Sequence, residues 1–370
     1  MRTRLIDVAR ESGVSVCTAS RVLNGTQLEK VSPATQARVR EVARRLGYRP
    51  NVAAKGLVKG LSYLIGVLLP HLSDSFFAEV VEGIQDAADA AGYGVLIFLS
   101  RGDSQREDKA LVSLRRRGVD GILYTPGQNF ASINRLIAEG VPVLQMANSV
   151  PAIASPYIDY DHEKGAYLAT RHLLERGHTR IAHLSADVPG DQQGMKRHRG
   201  YGQALGDAGI PYDSKLVEIS GYSFEGGYRA TYELCGHDPN RRPSLPSPPL
   251  AFSAIFAASD MAALGAMKAL QEMGRRVPDD VAIVGFDDVP AARQASVPLS
   301  TIAQPKRELG VMAFNALLDL IEGRCVASVL LNPELIIRRS SETVASPAAK
   351  LSGPGFARIK EVSPSCQTED

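Results

Sequence analysis

The feature that most constrains this chain is an alternation of short apolar runs with amphipathic stretches that begins near residue 62. Tyr63–Leu69, Tyr93–Leu99, Val119–Thr125 and Val141–Met146 read as buried strands. Phe76–Ala91, Gln105–Arg117 and Ile133–Glu139 read as the helices between them. A second series follows, with strands near Ile181–Ser185, Leu216–Ile219, Ala254–Ala258 and Ala282–Phe286. Its helices lie near Lys164–Arg176, Arg199–Ala208, Gly226–Cys235 and Asp260–Met273. Strands alternating with helices form parallel sheets covered on both faces. Two such series predict two doubly wound lobes with a cleft between them, and ligands of such sheets bind beyond the C-terminal ends of the strands.

The first sixty residues follow a different pattern. They carry twelve Lys and Arg against four Asp and Glu, a net of +8, whereas residues 61–370 carry 30 basic and 36 acidic residues. A basic end on a mildly acidic body points to a polyanion as the partner of that end. Leu5, Val8 and Ala9 recur at helical spacing, and Gly13 ends the pattern where a glycine cap belongs. Ser15 is a good N-cap for a second helix, whose Ala19, Val22 and Leu23 face inward. Ser32 followed by Pro33 opens a third helix with Val39, Val42, Ala43 and Leu46 inside, and Gly47 closes it. This is the helix-turn-helix arrangement, whose second helix enters the major groove of DNA. A three-helix bundle for protein contact has the same shape; the charge weighs against it.

Ile6-Asp7-Val8-Ala9, Gly13-Val14-Ser15, Thr18, Ser20-Arg21-Val22-Leu23-Asn24 and Leu46-Gly47-Tyr48-Arg49-Pro50-Asn51 strongly resemble the headpiece of the lactose/galactose repressor (LacI) family. Leu174–Ala182, Ser259–Ala266 and Val284–Asp288 extend that resemblance through the body to about residue 343. The resemblance implies an all-α headpiece over residues 1–50 and a hinge over 51–60. It further implies a two-lobed α/β, periplasmic-binding-protein-like domain over 61–343. Lobe 1 is expected to hold 61–160 plus 290–322, and lobe 2 to hold 161–289 plus 323–343. The polar tail, 344–370, is expected to be disordered.

By the same resemblance, DNA contacts fall on Leu5, Ser15, Val16, Cys17, Thr18, Arg21, Asn24, Ser32, Thr35, Tyr48, Asn51, Ala54 and Leu57. Val16 and Cys17 stand at the base-reading positions and make no bidentate hydrogen bonds, so they favour apolar contact such as a thymine methyl. A redox role for Cys17 is the alternative, ranked below base contact. Leu57 is implied to wedge into the central minor groove. Gly56 stands where the family has a small polar residue, and glycine weakens helix propensity by about 1 kcal/mol.

Effector contacts are implied at Ser73, Asp74, Phe76, Asp161, Arg197, Tyr222, Asp260 and Asp287. Carboxylates, a guanidinium fork and an aromatic face suit a polyol such as a sugar or related metabolite. Asp260 is equally readable as the cap of the helix that starts there. Asp74 replaces a common asparagine, which leaves the effector class open. Asp238–Leu250, rich in Pro and Arg, reads as an insertion.

No GxGxxG follows the first strand, no GxxxxGK[ST] occurs, and the scattered His71, His162, His172, His178, His183 and His198 suggest no catalytic constellation. The four cysteines show no metal spacing, and neither a signal-peptide run nor a membrane-length apolar stretch is seen. The expectation is therefore a cytoplasmic, homodimeric DNA-binding regulator, without enzymatic activity or cofactor, that reads an approximate palindrome under control of a small molecule. A pure ligand-binding protein with a vestigial headpiece, and an enzyme acting on a sugar, are the competing readings.

Overall fold

A computed structural model describes residues 3–48, 60–72, 75–127, 130–186, 191–239, 241 and 249–342. Hinge residues 51–59, with Asn51, Ala54 and Leu57, lie outside the described residues, as do Ser73, Asp74 and the tail.

Three helices, α1 (Leu5–Glu11), α2 (Val16–Asn24) and α3 (Pro33–Arg45), close around Val8, Ala9, Ala19, Val22, Val39, Val42 and Ala43. Gly13 takes φ +64° between α1 and α2, a left-handed turn that glycine adopts without steric cost. The Ser15 hydroxyl then accepts from the Thr18 amide at 3.0 Å and caps α2. A 3-10 turn over Leu28–Lys30 fills the loop before α3. Gln36 braces it, donating to the carbonyls of Leu28 at 3.0 Å and Val31 at 2.8 Å.

Among the described residues the body holds two six-stranded sheets. The first is built from β1 (Leu64–Leu69), β2 (Gly94–Leu99), β3 (Gly121–Tyr124), β4 (Val143–Met146), β5 (Tyr157–Tyr160) and β11 (Val329–Leu331), in the order β11-β5-β4-β3-β1-β2, all parallel. Helices α4 (Ser75–Ala91) and α12 (Lys306–Ile321) pack on one face, α5 (Ser104–Arg116) and α6 (Phe130–Ala138) on the other.

The second sheet is built from β6 (Ile181–Ser185), β7 (Val217–Ile219), β8 (Ala254–Ala257), β9 (Ala282–Asp287), β10 (Ser300–Ala303) and β12 (Glu334–Ile336), in the order β12-β10-β9-β8-β6-β7. Only β12 runs antiparallel, against β10. Helices α7 (His162–Glu175) and α8 (Gln192–Asp207) cover one face, α9 (Phe224–Leu234) and α10 (Asp260–Glu272) the other. A short helix, α11 (Pro290–Gln294), follows β9.

The pairings correct the expected division of the lobes. Residues 290–303 belong with the second sheet, because β10 pairs with β9, and only α12 from the stretch 290–322 packs on the first. Conversely β11, within 323–343, pairs with β5 of the first sheet. Apolar pattern marks a strand but not the sheet it joins; pairing decides that, with the nearby β9 for β10 and with the distant β5 for β11. Among the described residues the chain therefore passes between lobes three times, after β5, after β10 and after β11. One helix also begins earlier than expected, at Gln192 rather than Arg199, because Asp191 caps it by accepting from the amides of Gln193 and Gly194.

Candidate functional site

Loops at the C-terminal ends of both sheets enclose a cavity of about 380 Å³ between the lobes. From the first lobe come His71 after β1, Arg101 after β2, Thr125 after β3 and Asn148 after β4, with Phe76 and Phe77 from α4. From the second come Asp191, Gln193 and Arg197 around the start of α8, Tyr222 after β7, Ser259 after β8 and Asp287 at the end of β9. Cavities at such strand ends are the usual ligand sites of parallel sheets.

Arg197 is the central group. It is 2% exposed and lies 3.9 Å from the centre of the Phe286 ring and 5.4 Å from that of Tyr222. Its Nη1 donates to the Ala258 carbonyl, and its Nη2 faces His162 Nδ1 at 3.4 Å and Asp287 Oδ1 at 3.6 Å. Among the described residues its buried Nε finds no hydrogen-bond partner, and neither do Thr125 Oγ1 and Asn148 Oδ1. Buried polar atoms left unpaired on a cavity wall are suited to a polar ligand, since leaving them unmatched costs about 1–3 kcal/mol each.

Asp287 and Asp288 take φ of +120° and +52°, which side chains other than glycine rarely adopt. The strain is held by Lys306, whose Nζ donates to the carbonyls of Asp287 at 2.7 Å and Asp288 at 3.1 Å. Gln304 donates to the Asp287 carboxylate at 2.6 Å, and Arg338 to that of Asp288 at 2.6 Å. Tyr222 donates to Asp191, and burial, with Asp191 adding to it, pushes its hydroxyl well above the ordinary tyrosine range.

Of the expected effector residues, Phe76, Arg197, Tyr222 and Asp287 share this cavity; Asp161 and Asp260 do not line it. Asp161 caps α7, accepting from the Lys164 amide at 3.0 Å. Asp260 is fully buried behind the wall, where it accepts from the Val289 amide at 2.8 Å and from the Thr301 hydroxyl. His71, Thr125, Asn148, Asp191 and Gln193 escaped the sequence reading. Each follows a strand, or opens the helix after one, so position at strand ends was the signal available. A larger concavity, about 620 Å³, is lined by Arg180, Tyr201 and Tyr212 at the opposite ends of β6 and β7, away from all these groups.

In the headpiece the exposed side of α2 carries Cys17 and Val16, the latter 44% exposed. Arg21 and Asn24 stand half-buried beside them, and Asn24 donates to the Ser20 hydroxyl at 3.1 Å. Thr18 shares a 2.9 Å hydroxyl contact with Ser15, and Ser32 caps α3 by accepting from Thr35 at 3.3 Å. Leu5 and Tyr48 are half-buried against the headpiece core.

Residues 4–51 match the family model for bacterial regulatory proteins of the lacI family, and residues 170–341 match a periplasmic binding protein-like domain. The transcriptional regulator DegA of Bacillus subtilis is 32% identical over 348 residues, covering 92% of this chain and 98% of DegA. The repressor CytR of Escherichia coli K12 is 33% identical over 343 residues, 91% and 96% of the two chains. The chain belongs to the LacI family. The fold agrees: a Lac repressor dimer bound to operator and the anti-inducer ONPF superposes with a TM-score of 0.80 at 29% identity, over 93% of this chain and all of that one. This LacI-family protein is thus a DNA-binding transcription regulator with a helix-turn-helix headpiece and an effector-binding body. Among the described residues no helix is long and apolar enough to cross a membrane.

Proposed function

We propose that this regulator is a cytoplasmic homodimeric repressor whose effector is a small polyhydroxylated molecule, a sugar or related metabolite, held between the lobes by Phe76, Arg197, Tyr222 and Asp287. The observation that carries the effector class is the unpaired trio on the wall, Arg197 Nε, Thr125 Oγ1 and Asn148 Oδ1. One is a donor, one an acceptor and one a hydroxyl able to do both, the complement of what the hydroxyl groups of a ligand offer. The nearby Phe76 and Tyr222 rings supply apolar faces for a sugar ring. Solved relatives support the class: one is a CelR–cellobiose complex, 30% identical with a TM-score of 0.67, and another, from Enterococcus faecium, holds ribose, 30% identical with a TM-score of 0.65.

On DNA, two headpieces read two half-sites, with Val16 and Cys17 in apolar contact, Ser15, Thr18, Arg21 and Asn24 on phosphates and flanking edges, and Leu57 at a central kink. Thermal-shift screening of the full chain against sugars, polyols and nucleosides tests the effector reading, because binding raises the midpoint by mass action. A hit whose shift is lost in Arg197→Lys is the expected result; lysine keeps the charge but not the planar fork. A panel without hits, or a hit indifferent to Arg197→Lys, contradicts it. Operator binding is tested by Leu57→Ala, which should weaken binding to a palindromic site far more than to random DNA; equal losses would overturn the kink.

A further inference from the structure

Behind the cavity, where the chain first passes between lobes, four charged groups and a histidine form an alternating buried chain. Asp159, at the end of β5 in the first lobe, is 0% exposed. It accepts from the Ser149 amide at 2.9 Å, the Ser149 hydroxyl at 2.7 Å and the Tyr160 amide at 2.8 Å. Lys196, on α8 of the second lobe, reaches across to it at 3.2 Å and to the Ser149 hydroxyl at 3.0 Å. On the other side His162 Nε2 lies 3.3 Å from Asp159 Oδ1 and 3.4 Å from the Ala147 carbonyl, while its Nδ1 faces Arg197.

The protonation states follow from these partners. A guanidinium only donates, so His162 Nδ1 accepts and the imidazole proton sits on Nε2, aimed at Asp159. An imidazolium has no acceptor to offer Arg197, so the ring is neutral, and burial, which lowers its pKa despite Asp159, acts in the same sense. Burial alone would raise Asp159, but the His162 N–H aimed at it, and after that Lys196 and the Ser149 hydroxyl, outweigh burial and hold the carboxyl well below the usual range. The chain therefore reads Lys196 positive, Asp159 negative, His162 neutral, Arg197 positive and Asp287 negative.

We infer that Lys196, Asp159 and His162 are positioning residues: the Lys196–Asp159 tie joins the lobes behind the cavity, and Asp159 fixes the His162 tautomer that aims Arg197 into it. This rests on reading the cavity as the effector site only for its consequence, since the tie and the tautomer are measurable without any ligand. Gln193, which donates to the Ala147 carbonyl from the same turn of α8, closes the lobes at the same place.

The test uses the full chain. Hydrogen–deuterium exchange should show residues 147–150 and 192–197 exchanging about tenfold faster in Lys196→Met than in wild type, the size expected when a hydrogen bond to a buried charge is lost. Helix α4 should be unchanged, and Lys196→Arg should restore most of the protection. Ser149→Ala, a milder change, should raise exchange in the same segments to a smaller degree and serves if Lys196→Met does not fold. In 15N-histidine spectra, wild-type His162 should be a single neutral tautomer protonated at Nε2, a preference lost in Asp159→Asn. Unaltered exchange in both Lys196→Met and Ser149→Ala, failure of Lys196→Arg to restore protection, or a His162 that is charged or protonated at Nδ1 would overturn the inference. Absence of any effector with these results intact would instead sink the function proposed for the cavity.

Discussion

Asp260 shows how a residue acts on a site it does not touch. It anchors Val289 and Thr301 beneath the strained Asp287–Asp288 pair, and burial, only partly offset by those donors, lifts its pKa from the ordinary 3.8 to about 6. A carboxyl that ionises less readily folded than unfolded is most favourable to the fold below about pH 4. That advantage is lost as pH rises through about 6. The displacement corresponds to about 3 kcal/mol. Urea unfolding of wild type and Asp260→Asn between pH 4 and 7 should therefore give stabilities whose difference changes over that window, the wild type falling relative to the variant as pH rises. Parallel pH profiles would show that Asp260 ionises as freely as in water. The sequence left Asp260 open between cap and ligand, and neither holds: Ser259 is the N-cap of α10. A carboxylate at a helix start reads alike in sequence whether it faces solvent, ligand or a neighbouring loop, and only the loop after β9, brought in from elsewhere in the chain, distinguishes them.

Among elements, the crossing of α4 and α12 is set by two glycines. A Cβ on Gly83 would stand 2.1 Å from the Arg307 carbonyl oxygen, and one on Gly310 2.1 Å from that of Val80. Backbone against backbone leaves no room to yield, so Gly310→Ala should force the helices apart and cost about 1–3 kcal/mol, as overpacking does. A drop in the unfolding midpoint with unchanged DNA affinity per folded molecule is the expected readout. Helix α2 invites a second substitution. Ser15→Ala removes the cap and should cost the headpiece about 1 kcal/mol, visible as a lower headpiece melting temperature.

Most long elements were legible because their periodicity is strong, as in α4 and β1. What was not legible were β5, β10, β11 and β12, three or four residues each. Length alone does not hide them, since β3, β4, β7 and β8 are as short. The four are the outer pairs β11-β5 and β12-β10 on one side of each sheet, where strand adjoins strand or a short helix along the chain and the regular alternation that marks the others breaks down. Helix α12 was read only as part of the stretch returning to lobe 1. In the site, Arg197 and Asp287 were legible through their motif positions, whereas Thr125 and Asn148 are ordinary polar residues until the fold leaves their oxygens unpaired.

At the scale of the molecule, the charge split assigns the two ends different physical tasks. The basic first sixty residues should make DNA affinity fall steeply and linearly with the logarithm of salt concentration, by counterion release. Effector affinity, set inside a cavity where Arg197 and Asp287 already balance, should change far less over the same range. Anisotropy titrations from about 50 to 200 mM salt would separate them, and equal slopes would place the charge effects elsewhere. Coupling between the two ends cannot exceed the difference in the effector's affinity for the DNA-bound and DNA-free protein.

The three passages of the chain between lobes also bear on synthesis. The headpiece core is complete once α3 and the residues just after it have left the ribosome, and a domain made first can fold first. Neither lobe has that freedom. The first sheet waits for β11 at residues 329–331 and the second for β12 at 334–336, so both edges are filled only by the last stretch described. A nascent chain stalled at residue 300 would thus carry a finished DNA-reading unit with two unfinished lobes. Its DNA-binding end is ready before the part that governs it exists.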